Sequence, residues 1–372
     1  MRYYSYLDKS DEERMFYKLP KEFNKDSSKE ILKYAIGGLL YVPANKKDKI
    51  LKCINKELKG IVSLAICLED SVGPYGELEG IKTLEEVFEI VRENKIKDIP
   101  LIFIRTKDID QTRKIRNIID KNSDFIKGII IAKADGNKIK EYTKFINSLN
   151  NKNLFIMPIL ESKEFVQYKV KDKYFEELYD SIKVYKDKIL SIRIGVTDLL
   201  GLFSVRRSKV LTIYDNVVYN KFVSDVLSVV GNMNIPISGG VSEFYNMKDS
   251  KILSNYIKEI KIDKLNGFIG KTIIHPMQLK VVQSMSVVSY EDYMDAKSII
   301  TSVDTDNYVS ASSNLEKMNE VSPHLKWAKK TMAMAEVYGV LNKGVEFNEL
   351  YELSMWYRFK GKSFGFRYER IF

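Results

Sequence analysis

Eight short runs of apolar and β-branched residues recur along this chain, each followed by a longer stretch whose apolar residues return every three or four positions. The runs are GGLLYVPA (37–44), GIVSLAICLED (60–70), IPLIFIRT (99–106), FIKGIIIAKA (125–134), NLFIMPILES (153–162), ILSIRIGVTD (189–198), NIPISGGV (234–241) and FIGKTIIHP (268–276). A strand that is apolar on both faces must be covered on both, which is the condition of a parallel sheet reached through helical crossovers. Segments such as IKTLEEVFEIVREN and DNVVYNKFVSDVLSVVGNM supply such crossovers, each with an apolar stripe. Eight alternating units imply an α/β fold, a (β/α)8 TIM barrel, with a doubly wound open sheet as the alternative. Residues 37–302 then form the barrel domain. Residues 1–36 form an N-terminal arm with aromatics in YYSYL and MFYKL, and residues 303–372 a C-terminal extension of helices and an aromatic tail.

The polar residues collect where the runs end. Glu69 and Asp70 close the second, Arg105 the third, Lys133 and Asp135 the fourth, Glu161 the fifth, Asp198 the sixth and His275 the eighth. In a barrel these ends converge on one face, where active sites are built. A charged or hydroxyl residue after a strand also serves as a helix cap, and Asp198 before LLGLF and Ser162 before KEF have that form. Glu161 and Asp198 come from adjacent runs, so their carboxylates can approach closely, and a divalent cation relieves the repulsion between them. Arg105 beside them offers a permanent positive fork for a carboxylate or enolate oxygen. Together these residues have the form of a hard-cation site, with Mg2+ expected and Mn2+ as the alternative.

Composition restricts the remaining choices. The net charge is +10 and the sequence pI about 9.1. The lysines are spread over nearly every expected helix, which favours a solvated surface over a nucleic-acid groove. Positive excess also suits a small anionic substrate. Cys53 and Cys67 are isolated, without metal-ligand or CxxC spacing, so neither a disulfide framework nor a zinc site is expected. The N-terminus is charged, and no stretch reaches the roughly 18 consecutive apolar residues of a membrane helix. A cytoplasmic protein without membrane attachment is expected. His275, followed by Pro276, reads as a loop-fixing residue, as does His324, and Gly239 with Gly240 reads as a turn rather than a phosphate cradle. The tail ELYELSMWYRFKGKSFGFRYERIF mixes aromatic and basic residues and reads as a covering strand or subunit interface rather than a base-stacking surface.

The stretches LYVPANKKDK, AICLEDSV, FIRT, GIIIAKAD, IMPILES, IGVTDLLG and GKTIIHPMQL, followed by LEKMNEVSPHLKWAKK, occur in one order across residues 37–335. This ordered set resembles the superfamily of the citrate lyase beta subunit and malyl-CoA lyase, the HpcH/HpaI-type aldolases. The later segment, KMNEVSPHLKWAKKTMAMAEVYGV, resembles a divergent branch described as carbon-carbon bond lyases of the TIM-barrel fold, which accompanies tellurium-resistance or stress operons. The resemblance implies that Glu161 and Asp198 ligate Mg2+ and that Arg105 contacts a substrate carboxylate or carbonyl oxygen. It implies that Glu69 and Asp70 lie near the metal and its waters, and that Lys46, Lys47 and Lys49 are candidates for CoA phosphates. Lys133 is a further substrate-binding candidate at the site. Glu320 stands where the family delivers an acid, commonly to a neighbouring subunit, which implies a homo-oligomer.

The implied activity is a Mg2+-dependent lyase or aldolase working through an enolate on an oxo-acid or acyl-CoA-type substrate. Asp70 and Glu320 both remain candidates for the proton transfer. Departures from the family pattern fall in the substrate-facing loops. Lys107 follows Arg105 where asparagine is frequent, Thr197 precedes Asp198, Ala132 precedes Lys133 where proline is usual, and PANKK carries lysine for arginine. A phosphorylated or nucleotide-like oxo-acid therefore stays open beside acyl-CoA. Two other functions remain open: a non-catalytic barrel binding a nucleotide or nucleic acid, and a malyl-type thioester hydrolase.

Overall fold

Each of the eight apolar runs becomes a strand. A computed structural model of the chain describes residues 1–73, 75–304, 309–316 and 318–359. The strands are β1 (Gly38–Pro43), β2 (Ser63–Cys67), β3 (Leu101–Thr106), β4 (Ile126–Ile131), β5 (Phe155–Leu160), β6 (Ile192–Ile194), β7 (Ile237–Ser238) and β8 (Lys271–Ile273). They lie in the order β7-β6-β5-β4-β3-β2-β1-β8, with every neighbouring pair parallel. A bridge between Gly239 and Lys271 joins the two ends of this order. The Ile269 N–H donates to Ile237 O at 2.8 Å, and the Thr272 N–H to Gly239 O at 3.2 Å. The sheet therefore closes into a barrel, and the open doubly wound alternative is excluded.

The strands form where they do because both faces are buried. Every residue of β2 (SLAIC) and of β4 (IKGIII) is buried. Lys127 within β4 is accommodated by carrying its ammonium to Asn153 O at 3.1 Å. The covering helices turn one stripe inward; in Glu77–Glu93 that stripe includes Leu84, Val87, Phe88 and Val91. The last three strands are much shorter than their apolar runs. The run ILSIRIGVTD stops being a strand after Ile194 and bends into the helix Val196–Gly201. Gly240 has no room for a side chain, since a Cβ there would meet Val196 Cγ2 at 2.0 Å.

The chain divides into two compact units, residues 36–279 and residues 1–35 with those from 280 onward. The first contains the whole barrel. In the second, Phe16–Lys18 pairs antiparallel with Val340–Leu341. Helices Tyr290–Thr301 and Val321–Tyr338 bury Ala296, Ile299 and Ala328 together. The rings of Tyr3 and Tyr338 lie 4.6 Å apart, and the Tyr338 hydroxyl donates to Tyr34 O at 2.6 Å. The helix Phe347–Phe359 takes up the first part of the aromatic tail, and residues 360–372 lie outside the described residues. Among the described residues no helix is long and apolar enough to cross a membrane.

Candidate active site

Strand register decides which polar ends meet. Cys67 of β2 pairs with Arg105 of β3, Arg105 with Ile130 of β4, and Ile130 with Met157 of β5, so these four share one face. Side chains alternate along a strand, so Met157, Ile159 and then Glu161 point the same way. Arg105 and Glu161 therefore arrive together at the C-terminal mouth. Arg105 Nη2 lies 2.7 Å from Glu69 Oε2 and 3.4 Å from Glu161 Oε1. Lys133, just beyond β4, has a left-handed backbone with φ of 48° and donates its N–H to Glu161 Oε1 at 2.9 Å. Its ammonium stands 3.5 Å from Glu69 Oε1 and 3.8 Å from Asp198 Oδ1. The other oxygen of Glu161 lies over Gly195, where a Cβ would come within 2.1 Å of Oε2.

Burial governs the protonation of this cluster. It pushes Glu161 up to about 7, with Arg105 pulling the other way and Asp198 adding to the rise. Glu69 is likewise raised by burial against the opposing pull of Arg105. Burial works against the charge of Lys133, but Glu69, Asp198, Asp70 and Glu161 together raise its pKa. With all groups ionised, the four carboxylates of Glu69, Asp70, Glu161 and Asp198 outnumber the cations of Arg105 and Lys133 by two. Oxygen donors with that excess fit a hard dication. Among the described residues no three acidic, imidazole or thiol groups form a ready metal cage. Mg2+ needs only one or two carboxylates and keeps water and substrate for its other positions.

Residues 30–340 match the model of a family described as C-C bond lyases of the TIM-barrel fold. The chain belongs to this family. It is thus a carbon-carbon lyase built on a TIM barrel. Among solved structures it is similar to CitE of Mycobacterium tuberculosis in complex with magnesium, acetoacetate and coenzyme A. The identity is 17% over 82% of this chain and 99% of that one, with a TM-score of 0.56, a likeness of fold. It is also similar to the M. tuberculosis citrate lyase beta subunit complexed with oxaloacetate and magnesium, at 17% identity over 68% of this chain and 96% of that one, TM-score 0.48. No curated protein sequence matches the lyase.

The remaining expected residues of the lyase fall in several places. Asp198 sits in the first turn of the helix Val196–Gly201 rather than on a strand end, and it does not cap that helix. Asp70 is exposed, in a 3-10 turn beside Glu69. Lys47 pairs with Glu86 at 2.8 Å, while Lys46 and Lys49 are exposed around the start of the helix Lys47–Ile54. Glu320 belongs to the second unit, where it precedes the helix Val321–Tyr338 and donates its N–H to His324 Nδ1 at 3.0 Å. Asp135 caps the helix Gly136–Asn147 by accepting from the Lys138 N–H, and His275 Nδ1 accepts from the Met277 N–H. Gly239 and Gly240 are small because Asp263 and Val196 press against them.

Three further residues belong to the barrel mouth and are not among those expected from the sequence: Gly195, Arg193 and Thr272. Arg193 could have been found as the one cation inside the sixth apolar run.

Proposed function

We propose that this lyase is Mg2+-dependent and acts through an enolate on an oxo-acid or acyl thioester of the acyl-CoA type. The observation that carries this reading is the contact set among Glu69, Arg105, Lys133, Glu161 and Asp198, drawn from five consecutive βα units. Glu161 and Asp198 would hold the ion, and bound Mg2+ would polarise the substrate carbonyl. Glu69 and Glu161 fix the Arg105 guanidinium before substrate arrives, so its charge can meet a developing enolate oxygen without reorganisation. Lys133, with its side chain 47% exposed, can reach a substrate carboxylate or phosphate. Asp70, exposed beside Glu69, and Glu320 are the two candidates for moving the proton. Lys46, Lys47 and Lys49 are offered for the phosphates of a CoA-type substrate. The complex of the similar CitE with magnesium, acetoacetate and coenzyme A supports this choice of ion and substrate class.

Glu320 acting in a neighbouring subunit's site makes the enzyme a homo-oligomer in this proposal, and two free buried cysteines suit a cytoplasmic location. The deciding experiment incubates the purified chain and Mg2+ with oxaloacetate or glyoxylate and acetyl-CoA, and follows products by mass spectrometry. A new carbon-carbon bond, or its cleavage in reverse, is expected. Free CoA released from a malyl-type thioester with the carbon skeleton intact would identify a hydrolase instead. Protein that takes up neither Mg2+ nor Mn2+ would sink the proposal.

A further inference from the structure

Arg193 lies one residue before the end of β6, and only 1% of it is exposed. It pairs with Ile159 of β5, two residues before Glu161, and so shares the inward face of that carboxylate. Thr272 of β8 pairs with Leu39 of β1, two residues before Tyr41, so Thr272 and Tyr41 share a face as well. Arg193 Nη2 donates to Thr272 Oγ1 at 2.6 Å. The remaining nitrogens, Nε and Nη1, are buried, and the polar group beside them is the Tyr41 hydroxyl. Burial lowers the Arg193 pKa, and the neighbour that offsets this is the Tyr41 phenol rather than a carboxylate. A buried guanidinium without an acidic partner is costly, which makes its surroundings a candidate for an incoming anion.

Access runs through its neighbours. Thr272 and Tyr41 are half-buried while Arg193 is sealed. A threonine hydroxyl that accepts from a guanidinium keeps its own O–H to donate, and the cation behind it strengthens that donation. Tyr41 also links this floor to the site, since the Arg105 guanidinium lies 5.9 Å from its ring. The barrel mouth is therefore two-sided, with carboxylates on the units of β2, β5 and β6 and a positively backed hydroxyl on β8.

We propose that the Thr272 hydroxyl, polarised by Arg193 and flanked by Tyr41, forms a second anion subsite for the distal carboxylate of a dicarboxylic oxo-acid. Thr272 touches the ligand, and Arg193 acts through it as a positioning residue. This deepens the enolate-lyase proposal and rests on it: the oxo-acid end sits at Arg105 and the carboxylates, and the tail at Thr272.

Oxaloacetate and 2-oxobutanoate test this directly, because they share the oxo-acid end and chain length and differ in a terminal carboxylate against a methyl group. Calorimetric titration of the full chain with Mg2+ is expected to show oxaloacetate bound roughly tenfold or more tightly than 2-oxobutanoate. Thr272→Val and Arg193→Met are expected to bring that ratio close to one, and Thr272→Ser, which keeps the hydroxyl, to retain it. The ratio is the readout because a partly unfolded fraction lowers both apparent affinities alike. A wild-type ratio near one, or a ratio retained in both Thr272→Val and Arg193→Met, overturns the subsite and leaves the enolate chemistry standing. Binding of neither oxo-acid overturns the proposed function, and the subsite falls with it.

Discussion

Lys133 meets Glu161 with its backbone, not with its ammonium: the N–H donates to Oε1 at 2.9 Å while the side chain turns toward Glu69 and Asp198. The left-handed φ of 48° makes both contacts available from one residue. Such a conformation costs a non-glycine residue roughly 1–2 kcal/mol, and glycine almost nothing. Lys133→Gly is therefore expected to keep the Glu161 carboxylate oriented and the melting temperature near wild type, while weakening oxo-acid binding by about tenfold. Lys133→Ala loses the same ammonium and keeps the strain, so it should melt lower than Lys133→Gly. Melting curves and calorimetry on the two variants check both parts.

The raised pKa of Glu161 fixes a pH dependence. Its carboxyl sits at about 7 against an ordinary 4.5, so between those values the folded chain holds a proton the unfolded chain has released. Without metal, this group's contribution to stability is fullest below the ordinary value and is lost as pH rises toward 7. Mg2+ needs the ionised carboxylate, so the rise in melting temperature caused by Mg2+ should grow from pH 6 to pH 8 and then level off. Glu161→Gln should abolish that Mg2+ response at every pH and lower turnover by about a hundredfold or more.

Gly195 packs directly against the Glu161 carboxylate. A methyl group there would lie 2.1 Å from Glu161 Oε2, so the carboxylate must move if Gly195→Ala folds. A loss of about 1–3 kcal/mol in stability is expected from the forced shift, with at least tenfold weaker Mg2+ binding. Urea denaturation and metal titration measure the two effects. An alanine variant with wild-type metal affinity would show that the position of Glu161 does not matter.

Away from the mouth, Lys271 sits between Glu259 Oε1 at 2.9 Å and Asp263 Oδ2 at 2.7 Å, all three groups almost fully buried. Replacing Lys271 by methionine removes the cation that buried Asp263 shares with Glu259, and leaves Glu259 paired to Arg207. A loss of about 3–5 kcal/mol is expected, read from urea denaturation. Adding Asp263→Asn should recover part of it.

Much of the barrel was legible because its strands are apolar on both faces and its helices on one. The same property hid the rest. In β6 the residues Ile192, Arg193 and Ile194 are all buried, so polarity along the run does not reveal which side chain faces the interior. Arg193 is the one cation of its run, but only the register with Ile159 sets it beneath Glu161. Asp198 closes the run ILSIRIGVTD and has the form of a cap before LLGLF, whereas the helix already starts at Val196 behind Gly195. The tightness there arises from a side chain 34 positions earlier. Glu69, Arg105 and Glu161 were visible since each follows a run long enough to fix its end.

The junction between β7 and β8 rests on one bridge and a few amide contacts, whereas β3 and β4 are paired from Ile102 and Ile126 to Thr106 and Ile131 with one bulge between. Backbone amides at this junction should exchange with deuterium ahead of those in β2 to β5. The wall carrying Thr272 would then breathe while the wall carrying Glu161 stays rigid, giving bulkier ligands a side door that the acidic wall does not have.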